Sequence, residues 1–214
     1  MKRLLLTLFL SALALAGCNR GIDDTPAPTP SQNGVVINGV TWARSNVNVP
    51  GTFAAAPESY GMFYQWNRTT AWLSTGANPV SAPAGMTWDS SAPTGDVWAA
   101  ANDPCPEGWH VPTAAQLATL VDASKVSYAW TTQNGVNGGK FTDIASGNSI
   151  FLPAAGGRGY SDGALYDAGN GGKYWSGSSD DSTAGAWGLS FFSDSAGQSY
   201  YYRALSLAVR CVGQ

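Results

Sequence analysis

A chain of 214 residues with 44% hydrophobic content is long enough for one domain with a sizeable core. Its formal net charge is −3 and only 12% of its residues are charged, which argues against the basic footprint of a nucleic-acid-binding protein. With one histidine, three cysteines and no zinc-like spacing among them, a Cys/His metal centre has no support either.

Residues 1–17 read as a signal peptide. Lys2 and Arg3 form a basic n-region, the apolar run after them is too short to span a membrane, and Leu15-Ala16-Gly17-Cys18 is a lipobox. The bland alternative is an ordinary secretory peptide with a chance cysteine, but the small residues before Cys18 favour lipidation there. Several acyl chains, each buried methylene worth roughly 0.8 kcal/mol, would anchor the protein stably. No other apolar run could span a bilayer, so membrane contact is expected through the lipid alone, with the protein exported to the outer membrane or cell surface. Losing Lys2 and Arg3 leaves nine basic residues against fourteen acidic ones, a mature charge of about −5. Residues 18–33 carry Pro26, Pro28 and Pro30 among polar residues and read as an extended, disordered tether.

The domain proper, residues 34–214, opens with Val35-Val36-Ile37-Asn38-Gly39-Val40-Thr41-Trp42, where Asn38-Gly39 between β-branched residues predicts a two-residue hairpin. Residues 61–66 predict a buried aromatic strand. From 68 to 102, Trp72, Trp88 and Trp98 sit among Gly, Pro and Ser without periodicity, which predicts a long ordered loop packed on itself. Residues 104–123 carry the one convincing helix. Thr113 occupies an N-cap position, Gln116 can complete a capping box, and Leu117, Leu120 and Val121 share one face. Val111 could staple against Leu117.

After the helix, residues 135–139 read as a glycine-rich turn, and 141–144 and 149–153 as short strands. Ala155-Gly156-Gly157-Arg158-Gly159-Tyr160 lacks the Gly-Lys-Ser/Thr ending of a phosphate cradle and reads as a tight loop. Trp187, Leu189 and Phe191 alternate with small residues, which assigns Trp187 and Phe191 to the core. Leu205, Leu207, Val209 and Cys211 share one face, so Cys211 points inward. Cys105 and Cys211 are the only cysteines outside the signal segment. They can bridge, closing about 100 residues at a gain of roughly 4–5 kcal/mol in the chain-entropy model, or remain two free buried thiols. An oxidising exported environment favours the bridge. These elements predict an α+β fold of short antiparallel strands, one or two helices and long ordered loops.

Cys105-Pro106-Glu107-Gly108-Trp109-His110-Val111-Pro112-Thr113, with Tyr174-Trp175-Ser176 and Val209-Arg210-Cys211-Val212 far downstream, resembles the Fibrobacter succinogenes major paralogous domain. That family is common in surface lipoproteins of Bacteroidetes-type bacteria, and the resemblance runs from Val35 to Val212. It implies a C-type-lectin-like fold in the variant of formylglycine-generating enzymes. Those enzymes work through a cysteine pair near the C-terminal part of the domain; here Cys105 and Cys211 are placed as a staple, so that activity does not carry over.

No catalytic constellation stands out. His110 between Trp109 and Val111 reads as a packing or capping residue, and nothing resembles a nucleophile elbow. Asp180 and Asp181 could offer oxygen ligands to calcium, although two adjacent acids more often form a solvated turn. The calcium triplets of C-type lectins do not occur. Tyr, Ser, Asp and Gly dominate the C-terminal third, the mixture that recognition loops use. The expected ligand-binding residues are Tyr166, Tyr174, Asp180, Asp181, Ser182, Ser193, Asp194, Tyr200 and Tyr202. The expected function is non-catalytic binding of a surface glycan or protein. The alternatives are a structural or tip subunit of a surface assembly such as a pilus, and a target of a diversity-generating retroelement with a variable C-terminal face.

Overall fold

The computed structural model describes residues 33–180, 182 and 184–214, so Cys18 and the signal peptide lie outside the described residues, as do residues 19–32 of the tether. Asn38 and Gly39 take φ of 44° and 77° and fold β1 (Gly34–Ile37) back onto β2 (Val40–Ala43), as the Asn-Gly pair predicts. β3 (Met62–Gln65), the expected buried strand, pairs with β4 (Ala71–Leu73), and β4 with β5 (Ser81–Ala82). The stretch expected to be one long loop therefore supplies two strands. Trp72 is buried in β4 with its ring 4.8 Å from Trp88, and the irregular part is the chain between β5 and a short 3-10 turn at Ala100–Asn102.

β6 (Trp109–His110) leads into α1 (Ala114–Leu120). The capping box forms as read: Thr113 Oγ1 accepts from the Gln116 amide at 3.1 Å, and Gln116 Oε1 accepts from the Thr113 amide at 2.8 Å. Val111 and Leu117 belong to different core clusters, so the staple does not form. β7 (Val126–Gln133), β8 (Val136–Asp143) and β9 (Ser149–Pro153) come next. The turn sits at Asn134-Gly135. Gly138 and Gly139 lie inside β8, because the rings of Phe151 and Tyr128 fill the space a Cβ would need. The remaining strands are β10 (Gly157–Arg158), β11 (Leu165–Tyr166), β12 (Gly172–Ser179), β13 (Gly185–Phe191), β14 (Ala196–Tyr202), β15 (Ser206–Ala208) and β16 (Val212–Gly213).

These strands make three sheets. A four-stranded sheet runs β1-β2-β16-β6 and a three-stranded one β7-β8-β9. The largest runs β14-β13-β12-β15-β3-β4-β5, with β10 also on β15 and β11 on β10. All its pairings are antiparallel except Tyr174 in β12 against Ala208 in β15. This architecture overturns the expected α+β, C-type-lectin-like fold: among the described residues a seven-residue α1 is the single α-helix beside sixteen strands. The physical reason is visible in the sequence, since only residues 113–121 combine an N-cap with helical apolar spacing.

The central sheet is buried on both faces. Phe63, Trp72, Tyr174, Leu189, Phe191 and Ala208 point into one cluster with Leu117 and Leu120 of α1 and Phe141, Ile150 and Leu152 of the three-stranded sheet. Met62, Tyr64, Trp66, Trp175, Ala186 and Leu207 point into the other, closed mainly by loop residues such as Val47 and Trp98. Leu207, Val209 and Cys211 do share one face, the second one. There Cys211 is bonded to Cys105, which settles the pairing.

Three buried arginines hold the loops, and none of them makes an ion pair with a described residue. Arg158 donates to the carbonyls of Leu73, Thr75, Gly76 and Gly163. Arg203 donates to those of Gly185, Pro93, Gly95 and Ser182. Arg210 donates to the carbonyls of Ala43, Arg44 and Phe151 and to Asn46 Oδ1. Burial lowers the Arg210 pKa to about 10, which still leaves it charged at neutral pH.

Candidate functional site

The β12–β13–β14 meander positions the surface most suited to recognition. Trp187 pairs directly with Tyr200 and Gly185 with Tyr202, so these side chains share one side of the hairpin. Further along the same side, α1 covers the sheet: Leu189 is fully buried and the Gln198 side chain donates to the Ala114 carbonyl. Beyond the helix the cover stops. Trp187 is left 36% exposed, Tyr202 40% and Tyr200 69%, and Tyr160, from the loop after β10, is 52% exposed beside them. The four rings form two edge-to-face pairs, Trp187–Tyr200 at 6.4 Å and Tyr160–Tyr202 at 5.2 Å.

A polar cleft of about 510 Å³ adjoins this face, lined by Thr94, Gly95, Asp96, Ser179, Asp180, Ser182 and Arg203. A Cβ at Gly185 would meet the Asp180 carboxylate, so any larger residue there would have to displace it. That collision also places Asp180 on the side of the hairpin that carries Tyr202. Asp180 Oδ1 accepts from the Ser182 amide at 3.0 Å and from its hydroxyl at 2.7 Å, which fixes the turn. The Arg203 guanidinium closes the floor, 4.4 Å from the Trp66 ring, with its donors directed to loop carbonyls. The arrangement offers flat aromatic faces next to carboxylate and hydroxyl groups. Among the described residues no group of three His, Cys, Asp or Glu could hold a metal ion. His110 is in β6, paired with Val212, and does not line this cleft.

Residues 32–213 match the Fibrobacter succinogenes major domain. The chain belongs to this family. No curated protein and no solved structure matches it significantly.

Within this Fibrobacter succinogenes major domain the expected site residues separate into groups. Asp180, Ser182, Tyr200 and Tyr202 come together at one end of the meander. Ser193 and Asp194 are exposed in the β13–β14 turn at the other end, about 20 Å away along a seven-residue strand. There the Asp194 charge adds to burial in pushing the Tyr128 phenol up to about 12. Tyr174 is not on the surface. It is fully buried, donates to the Pro153 carbonyl at 2.9 Å, and burial pushes its pKa up to about 12. Tyr166 is half-buried under Lys173, whose ammonium lies 5.0 Å from its ring. Asp181 lies outside the described residues.

Two further participants escape sequence reading. Trp187, expected in the core, belongs to the exposed face, because alternation gives the side of a strand and not where the helix covering that side ends. The wall formed by Thr94, Gly95 and Asp96 carries no local signal; the Arg203 contacts bring it to the cleft from more than a hundred residues away.

Proposed function

We propose that this domain is the non-catalytic binding module of a cell-surface lipoprotein, anchored through Cys18, and that its ligand is a glycan. The ligand would lie on Trp187, Tyr200, Tyr202 and Tyr160, with Asp180, Asp96 and Ser182 taking its hydroxyls. The supporting observation is the cluster of four exposed aromatic rings beside a polar cleft: sugar rings present apolar faces to aromatics and hydroxyls to carboxylates. Trp187, Tyr200 and Tyr202 sit on strands of a double-sided core, so little ordering of them is needed on binding. A glycan array probed with the full chain, with and without calcium, tests this. Saturable binding should be lost in Tyr200→Ala and Asp180→Ala while their melting temperatures stay within a degree or two of the wild type. Binding that survives both substitutions removes this face from consideration.

One observation favours a second reading, an assembly subunit. β14 ends the central sheet with seven residues, Ala-Gly-Gln-Ser-Tyr-Tyr-Tyr, free of the charges and prolines that protect open edges. Concentration-dependent self-association, abolished by Ser199→Pro, would support it over the glycan reading.

A further inference from the structure

The three-stranded sheet has an outer side that the aromatic face does not use. Phe141, Ile150 and Leu152 face the core, so the residues alternating with them face away: Lys140 pairs with Phe151 and Thr131 with Gly138. Across from them runs the segment that contains Pro57, and Arg44 follows β2 at the same place. Between the two lies an open groove of about 410 Å³, within the usual size range of small-ligand sites, about 300–1,000 Å³.

The charge here runs against that of the chain. The sequence is net acidic, yet Arg44 and Lys140 both line this groove, both are exposed, and neither forms an ion pair with a described residue. No carboxylate among the described residues lines it. The closest candidate, Glu58 beside Pro57, is already engaged. It accepts from Gln133 Nε2 at 3.1 Å and Asn134 Nδ2 at 2.6 Å, which ties the tip of the β7–β8 hairpin to the opposite wall. The two walls are thus held apart by a fixed strut while the two cations remain uncompensated.

We propose that this groove binds the carboxylate of an acidic sugar, such as a uronic acid within a glycan. The Arg44 guanidinium can take a carboxylate through two parallel N–H donors, and the Lys140 ammonium supplies a second positive charge. Thr131, Ser149 and Gln133 also line the groove and can both donate to and accept from sugar hydroxyls. An acidic peptide fits less well. Thr131, Gln133, Lys140 and Ser149 meet the groove from the face of the sheet and not along a strand's backbone, so a ligand is held by side chains and gains no ladder of the kind a peptide adds at an edge. The site is separate from the aromatic face and does not depend on that face binding anything.

Calorimetric titration of the full chain with trigalacturonate, with its methyl ester and with triglutamate tests the assignment. Trigalacturonate should bind, more weakly as salt is raised. Esterification of its carboxylates should weaken binding by about tenfold or more, and Arg44→Gln with Lys140→Gln should do the same. Tyr200→Ala should leave this titration unchanged, which separates the site from the aromatic face. Lys140→Gln alone, whose side chain bonds to no described residue, must still reduce the affinity even if the double variant folds poorly. No binding of trigalacturonate, equal binding by Lys140→Gln, or equal affinity for triglutamate would each overturn the proposal.

Discussion

The two sides of the central sheet are covered in different ways. On one side, regular elements do the work: α1 and the β7–β9 sheet satisfy their own backbone groups and present apolar faces to Phe63, Tyr174 and Phe191. On the other side the cover is mainly loop, and loops have carbonyls without a ladder to enter. Side chains answer that need. Arg203 collects four carbonyls from two loops, and the Cys105–Cys211 bond fixes the segment before β6 to the chain end. Guanidinium suits the task because it carries five donors in a rigid plane and can lie on a ring such as Trp66. A sheet can therefore be sealed equally well by repetitive structure or by cross-links, but the two seals should fail differently.

The largest expected effect comes from the cross-linked side. Replacing both Cys105 and Cys211 by alanine should remove about 4–5 kcal/mol through the chain-entropy term. That corresponds to a melting temperature lower by on the order of 10–20 °C; a loss under about 1 kcal/mol in urea unfolding would show that the loops hold without the bond. On the regular side, Leu117→Ala should cost about 3 kcal/mol, since it opens a cavity between α1 and the sheet. Arg203→Met should cost about 2–3 kcal/mol and leave loop carbonyls unpaired. Its distinguishing sign is hydrogen exchange: protection should fall in residues 93–98 and 182–186 while β7–β9 stays protected, whereas uniform loss would erase the contrast between the two sides.

The smallest effect is a dependence on pH. Asp143 accepts from the amides of Asn38 at 2.7 Å, Ser146 at 2.8 Å and Ala145 at 3.0 Å, and these donors, that of Ser146 foremost, hold its carboxyl below the usual range. A depressed folded-state pKa contributes stability that is present above about pH 4 and fades as the pH falls through the folded value. Asp143→Asn should therefore be less stable than the wild type at pH 7, with the gap narrowing by pH 3. An equal gap at both pH values would mean that the side chain acts through packing alone.

Local chemistry was legible in the sequence and distant pairing was not. Asn38-Gly39 and the Thr113–Gln116 box are decided within a few residues, and both form as read. The inward face of Leu207, Val209 and Cys211 comes from strand alternation and also holds. The expected α+β class of one or two helices overstates the helix: the apolar spacing supports one, and among the described residues α1 is the single α-helix. Tyr174 and Tyr200 look alike in sequence, yet one is fully buried and the other 69% exposed. What separates them is which strand ends the sheet, a fact set by pairings across the whole chain. The clasping arginines gave no warning either, since Arg is mostly a surface residue and nothing local marks Arg158, Arg203 or Arg210 as buried. Grouping Asp180 with Asp194 failed for a simpler reason: the strand between them is long.

The position of β15 and β16 has a consequence in time. β15 lies between β12 and β3, and β16 lies between β2 and β6, so the last strands made are central in both sheets. During synthesis the strands that flank them, β12 and β3 in one sheet and β2 and β6 in the other, must wait for them, whereas the β7–β9 sheet need not. In nascent chains the two larger sheets should stay open until Ser206–Gly213 has emerged, and a chain halted before Ser206 lacks the centre of its main sheet. Such a delay makes closure of those two sheets one late event, in which the Cys211 thiol arrives with the strands that bury it.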